Sequence, residues 1–120
     1  MNLNEFKYIN IETNLILMFR YLIPKINMKQ YIKYRLPSFR SEIYLIEWLP
    51  NIKTEIHDHY GKDCNFIVLI GPLFEKRYFK KNNESVIKVY HQYERGFIND
   101  SIGKHRMINY SNSKKWSIHR

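Results

Sequence analysis

"CNFIVLIGPLFEKRYFKKNNESVIKVY", Cys64 to Tyr90, contains three apolar and aromatic runs separated by two turn signals. Gly71-Pro72 closes the first run and Asn82-Asn83 the second, so the stretch reads strand, turn, strand, turn, strand. Runs rich in Ile, Val, Phe and Tyr suit a pleated, half-buried surface. The same rhythm continues on both sides. "SEIYLIEWL" (Ser41 to Leu49) ends at Pro50-Asn51, and "FIND", "HRMINYS" and "WSIHR" follow the turn at Glu94-Arg95-Gly96. No crossover helix fits between these strands, so they must pair antiparallel. The expectation is a mainly β protein, a sandwich or barrel.

The N-terminal side has a different period. Apolar residues recur at helical spacing from Ile11 to Ile23, where Pro24 ends the helix. A second short helix is expected over Asn27 to Lys33. Residues 1–36 are thus expected as a helical lead-in and residues 41–120 as the β-barrel of one 120-residue domain.

Composition removes several classes of function. The formal charge is +9, but the lysines are scattered or paired (Lys80-Lys81, Lys114-Lys115) and never form a long basic run. The chain also contains no alanine and is dominated by Ile, Lys, Asn and Tyr, a bias of the whole composition. The charge is therefore not read as a nucleic-acid signal. A single cysteine excludes an internal disulfide framework and suits a reducing, cytoplasmic setting. "NLILMFRYLI" is too short to cross a membrane and carries Arg20, and Met1 to Phe6 lacks the basic start of a secretory signal.

The chemistry concentrates in "TEIHDHYGKDC", Thr54 to Cys64. On a strand, His57 and His59 would leave the same face, ready to share one metal ion. Read alone, the pair is a weak signal and is more often two surface histidines beside a turn. His105 changes the balance, because an antiparallel sheet curled into a barrel can bring its strand beside the first two. Three protein ligands with open positions are the pattern of a catalytic metal. Asp63 competes for the third place, which would make a two-His-one-carboxylate site.

Two longer segments, "IHDHYGKDCNFIVLIGPLFEKRYF" and "FINDSIGKHRMINYSNS", resemble the metal-bearing segments of cysteine dioxygenase, a thiol dioxygenase family of the cupin superfamily. The matching features are His57-Asp58-His59, a Cys five residues after the second His, "VLIGPLFE", and "INDSIGKHR" with Asn109 four residues beyond its His. The similarity runs from roughly Lys29 to His119. It implies a small jelly-roll barrel, one Fe(II) held by three neutral histidines, and L-cysteine plus O2 giving cysteine sulfinate. The implied ligands are His57, His59 and His105, which moves Asp63 outside the metal's reach.

The same resemblance implies an Arg that grips the substrate carboxylate. In "QYIKYRL" this is Arg35, with Arg40 in reserve, while the tyrosine many members carry two residues earlier is Lys33 here. Ser117 and His119 in "WSIHR" match the Ser-x-His run of the last strand of the site, putting His119 on the substrate side. Cys64 matches the cysteine that animal-type members join to a tyrosine by a thioether. That tyrosine would follow Arg120 directly, and no other tyrosine, including Tyr110, falls at a matching position. The barrel is accordingly expected to be truncated, leaving a monomer or a dimer formed through an open sheet edge. Two functional readings follow: an active thiol dioxygenase using a small thiol and O2, or a catalytically inactive cupin serving as a metal-binding or interaction module. Three imidazoles also suit nickel or zinc.

Overall fold

The structure, a computed structural model, describes residues 25–37 and 42–120. Within them the chain forms β1 (Lys25–Asn27), β2 (Tyr31–Leu36), β3 (Ile43–Trp48), β4 (Ile52–Lys53), β5 (Cys64–Ile70), β6 (Leu73–Phe79), β7 (Ser85–Tyr90), β8 (Arg95–Ile98), β9 (Gly103–Asn109) and β10 (Lys115–His119). They make two sheets: six strands in the order β1-β2-β3-β10-β5-β8, and four in the order β4-β9-β6-β7. Every pair is antiparallel, as the absence of crossover segments requires.

The period of two decides what is buried. Along β5, Cys64, Phe66 and Val68 turn inward, and they meet Leu73, Tyr90, Ile98 and Met107 from the other strands in the main core. Ile46 and Trp48 add the β3 side of that core. The opposite phase of β2, β3 and β10 buries a second cluster of Tyr34, Leu36, Leu45 and Trp116, joined by Leu69. Glu47, fully buried on that phase, accepts a hydrogen bond from the Tyr34 hydroxyl at 2.7 Å and pairs with Lys114 at 2.8 Å.

Three expectations meet the structure here. The strands read from Ser41 onward are present: Cys64–Ile70 has the bounds read from the sequence, and the other boundaries move by up to three residues. The short helix expected over Asn27–Lys33 is not: Asn27 ends β1, and Tyr31, Ile32 and Lys33 begin β2. The physical reason is pairing. Tyr31 to Leu36 lies in register against Trp48 to Ile43, and a backbone ladder plus burial of Tyr34 and Leu36 outweighs a weak local helical pattern. Among the described residues, strand structure is therefore already present at Lys25–Asn27, before Pro37. The helix expected over Ile11–Ile23, and Arg40, lie outside the described residues. No helix among the described residues is long and apolar enough to cross a membrane.

Candidate metal centre

One half of the site is built on the paired strands β6 and β9. Asn99 starts the approach: its Oδ1 accepts from the Ser101 and Ile102 backbone N–H groups and from the Ser101 hydroxyl, an Asx turn that reverses the chain into β9. Gly103 follows at φ +155°, where a Cβ would overlap the Tyr78 carbonyl, so only glycine lets β9 lie this close to β6. Two residues on, His105 points inward and is 1% exposed. Its Nδ1 lies 2.6 Å from Glu75 Oε2, so the ring donates Nδ1–H to the carboxylate. Glu75 is fully buried and also accepts from Arg77 Nε at 3.1 Å and from the Tyr90 hydroxyl at 2.9 Å. Burial would raise the Glu75 pKa, but hydrogen bonds from His105 and Arg77 outweigh it and bring it down to about 2. The carboxylate is thus an ionised clamp on one side of the imidazole.

The other half is a loop. The sequence suggested a strand carrying both histidines; instead His57 makes one isolated bridge to His105, exchanging backbone hydrogen bonds at 3.0 and 3.2 Å. His59 lies beyond it, in a turn where Tyr60 and Gly61 both have positive φ. Asp100 fastens this turn, accepting from His59 N–H at 2.8 Å and Gly61 N–H at 2.6 Å. The ring of His57 is oriented by its Nδ1, 2.9 Å from the Glu55 carbonyl. A carbonyl only accepts, so His57 carries its proton on Nδ1 and leaves Nε2 free.

The three rings converge, and one ligand atom from each lies within 4.8 Å of the others. The Nε2 atoms of His57 and His105 are 3.0 Å apart. Both rings give Nδ1–H to an oxygen, so this contact sets two lone pairs against each other unless a positive charge, a proton or a metal ion, lies between them. Two nitrogens at about 2.1 Å from one ion and at right angles stand roughly 3.0 Å apart. Burial pushes the His57 pKa down, and burial with the neighbouring His105 and His57 brings His59 to about 4. Neutral imidazoles are the form that ligates. His59 Nδ1 is buried without a hydrogen-bond partner among the described residues. The donor set therefore fits a transition metal, and all-imidazole ligation leaves its identity open among iron, nickel and zinc.

The cavity beside the triad is lined by other residues singled out above, among them Lys33, Cys64 and His119. His119 is stacked on Phe66, centroids 5.1 Å apart, and Phe66 needs Gly96 opposite because a Cβ there would overlap its ring. Trp48 Nε1–H donates to Ser117 Oγ at 2.8 Å, and Ser117 Oγ lies 2.7 Å from His119 Nε2. Buried Ser117 has one hydroxyl proton to place, so it goes to His119 Nε2, and His119 carries its own proton on Nδ1, 3.9 Å from Cys64 Sγ. Burial drives His119 down to about 3 and the Cys64 thiol up to about 11. Both are neutral. Arg120 and Asn65 exchange backbone hydrogen bonds, so β10 runs toward the position opposite Cys64.

Arg35 lies at the far end of β2, exposed and outside the residues that line the cavity. Asp63 lines the cavity but accepts from Asn99 Nδ2 at 3.2 Å and does not join the histidine cluster. Sequence reasoning missed Glu75 and Asp100. The signal for Glu75 was available in "LFEKRYF": the phase that buries Leu73 also buries Glu75 and Arg77, so this strand carries charge on its inward face. For Asp100 no local signal exists, because its partners are some forty residues away.

A family model described as cysteine dioxygenase type I matches residues 10–120. No curated protein matches the chain. Among solved structures, the Drosophila melanogaster CENP-C cupin domain superimposes with a TM-score of 0.70 at 9% identity, covering 82% of this chain and 74% of that one. The capsular polysaccharide assembling protein CapF from Staphylococcus aureus gives 0.70 at 16%, covering 87% of this chain but 29% of its own. An oxalate oxidase gives 0.59 at 15%, covering 65% and 39%. At these identities the likeness shows the cupin fold alone.

Proposed function

The chain belongs to the cysteine dioxygenase type I family, and on that premise we propose that it is an Fe(II)-dependent thiol dioxygenase oxidising L-cysteine with O2 to cysteine sulfinate. The observation that carries this reading is the convergence of His57, His59 and His105, with His105 clamped by buried Glu75. Bound iron supplies the O2 chemistry that no side chain can perform. The chain's part is to hold and orient. Three neutral imidazoles bring no charge, so the substrate thiolate provides the negative charge a carboxylate ligand would otherwise bring. Glu75 keeps the proton of His105 on Nδ1, and the Glu55 carbonyl does the same for His57, so both Nε2 lone pairs face the ion. His119, which lines the same cavity, holds its proton on Nδ1 toward Cys64 Sγ, with its Nε2 tied to the Trp48–Ser117 relay.

Iron loading followed by O2 uptake with cysteine tests the proposal, with sulfinate as the expected product. An iron-loaded protein that consumes no O2 with any small thiol overturns it. The alternative, an inactive cupin acting as an interaction module, draws support from one feature. Among the described residues, β7 is an edge strand and exposes Val86, Ile87 and Val89, an apolar edge that could pair with another chain. Metal binding without O2 uptake, together with concentration-dependent association, is its signature.

A further inference from the structure

We propose that Lys33, a position where the thiol dioxygenase pattern carries tyrosine, is the anion anchor of this site, and that it selects short thiols bearing a carboxylate or sulfonate. The inference rests on the thiol dioxygenase reading and specifies its substrate class.

Lys33 stands on β2 with its Cα opposite Ile46, on the sheet face that also carries Tyr31, Tyr44 and Trp48 into the cavity. It is half-buried and lines the same cavity as the three metal-directed histidines and His119. The ammonium lies 4.2 Å above the centroid of the Tyr44 ring, which holds it by cation–π attraction without neutralising it. Tyr44 is itself fixed by its hydroxyl, which donates to Glu42 at 3.2 Å. Among the described residues, no carboxylate forms an ion pair with Lys33. Glu42, Glu55, Asp58 and Asp63 also line the cavity, but none of them is ion-paired with Lys33 among the described residues. The half-buried ammonium is therefore open to an anionic substrate group.

The other cations near the cavity fit the role less well. Lys62 and Arg120 are exposed, at a turn and at the end of β10. Arg35 follows two residues later on the same strand phase but is exposed and outside the cavity lining. An ammonium also differs from a guanidinium in what it demands. It acts as a compact charge with rotatable donors, whereas a guanidinium presents fixed parallel donors to a carboxylate or a tetrahedral oxyanion. An ammonium anchor therefore accepts a tetrahedral sulfonate nearly as well as a planar carboxylate, and it gives no hold to a thiol that carries only an amine.

Binding can be read without turnover by loading the full chain with Co(II) and following the thiolate-to-cobalt absorption under anaerobic titration. The probes are 3-mercaptopropionate, 2-mercaptoethanesulfonate and cysteamine. Both acidic thiols are expected to bind about 10-fold tighter than cysteamine, and Lys33→Met to abolish that preference while cysteamine affinity persists. Lys33→Gln should repeat the loss, and Lys33→Arg, which keeps a cation at the position, should keep the preference for both acidic thiols. Retention of the acidic preference in both Lys33→Met and Lys33→Gln overturns the assignment. So does its loss in Arg35→Met alone, which returns the anchor to Arg35. Cobalt that fails to bind removes the metal reading itself, and this proposal with it, so the two failures are distinguishable.

Discussion

The two halves of the metal centre are held in opposite ways. His105 sits in the middle of a paired strand, fully enclosed, with an ionised carboxylate locked to its far nitrogen. His57 and His59 sit on a loop with one bridge to β9, fastened by a surface aspartate and a backbone carbonyl. The strand half is rigid because its polar atoms are buried and mutually satisfied, so any displacement strands a charge in low dielectric. The loop half has water within reach to replace lost partners. A candidate centre built this way holds one histidine in a buried network and the other two on a loop.

The largest test of that contrast is Glu75→Ala. It leaves Arg77 and the His105 Nδ1–H buried without their acceptor, and it should cost about 3–5 kcal/mol of stability. Denaturant midpoints at constant slope measure the effect, and metal affinity should fall about 10–100-fold as well. Should stability barely change, the strand half is not the rigid one. Next comes Gly103→Ala, which drives a Cβ into the Tyr78 carbonyl and should cost about 1–3 kcal/mol by forcing β9 away from β6. Loss of metal binding should accompany that shift.

Asp100→Ala addresses the loop half. It releases the His59 and Gly61 N–H groups to water, so the thermal midpoint should hardly move while metal affinity drops about 10-fold. A large loss of stability with unchanged affinity would reverse the comparison.

The smallest effect is a separation of acid windows in the metal-free protein. His59 has a folded pKa of about 4 against an ordinary 6.5, so the unfolded chain binds more protons between those values. Its contribution is complete above pH 6.5 and is lost as pH falls toward 4. Glu75, folded at about 2 against an ordinary 4.5, contributes fully above pH 4.5 and loses that contribution only as pH falls toward 2. Thermal midpoints across this range should show the histidine window first. His57 and His119, also held below the ordinary value, share it, so His59→Gln should reduce it without removing it and leave the lower window intact.

The strand runs around Gly71-Pro72 and Asn82-Asn83 were legible because turn residues and β-branched runs act locally. The histidines were legible as ligand types, and "INDSIGKH" as a segment that had to mean something specific. Tyr31 to Lys33 was misread because its strand character comes from β3, a partner the local pattern does not contain. Glu75 went unnoticed because a charge between aromatic residues looks like an exposed position until the phase of its strand is known.

By itself, the sequence determined an antiparallel β protein, the chemical kinds of its ligands, and the places where its chain must turn. These follow from side-chain shape, backbone freedom and the period of two, all properties of neighbouring residues. Only the tertiary structure decided that His57 Nε2 meets His105 Nε2 at 3.0 Å, that Glu75 stands behind one of them, and that Lys33 rather than Arg35 lines the cavity. The two histidine contacts join residues 30 or more positions apart in the chain, and Lys33 reaches the cavity from the other sheet. Register and sheet order set them, and both are fixed by the burial of the whole core.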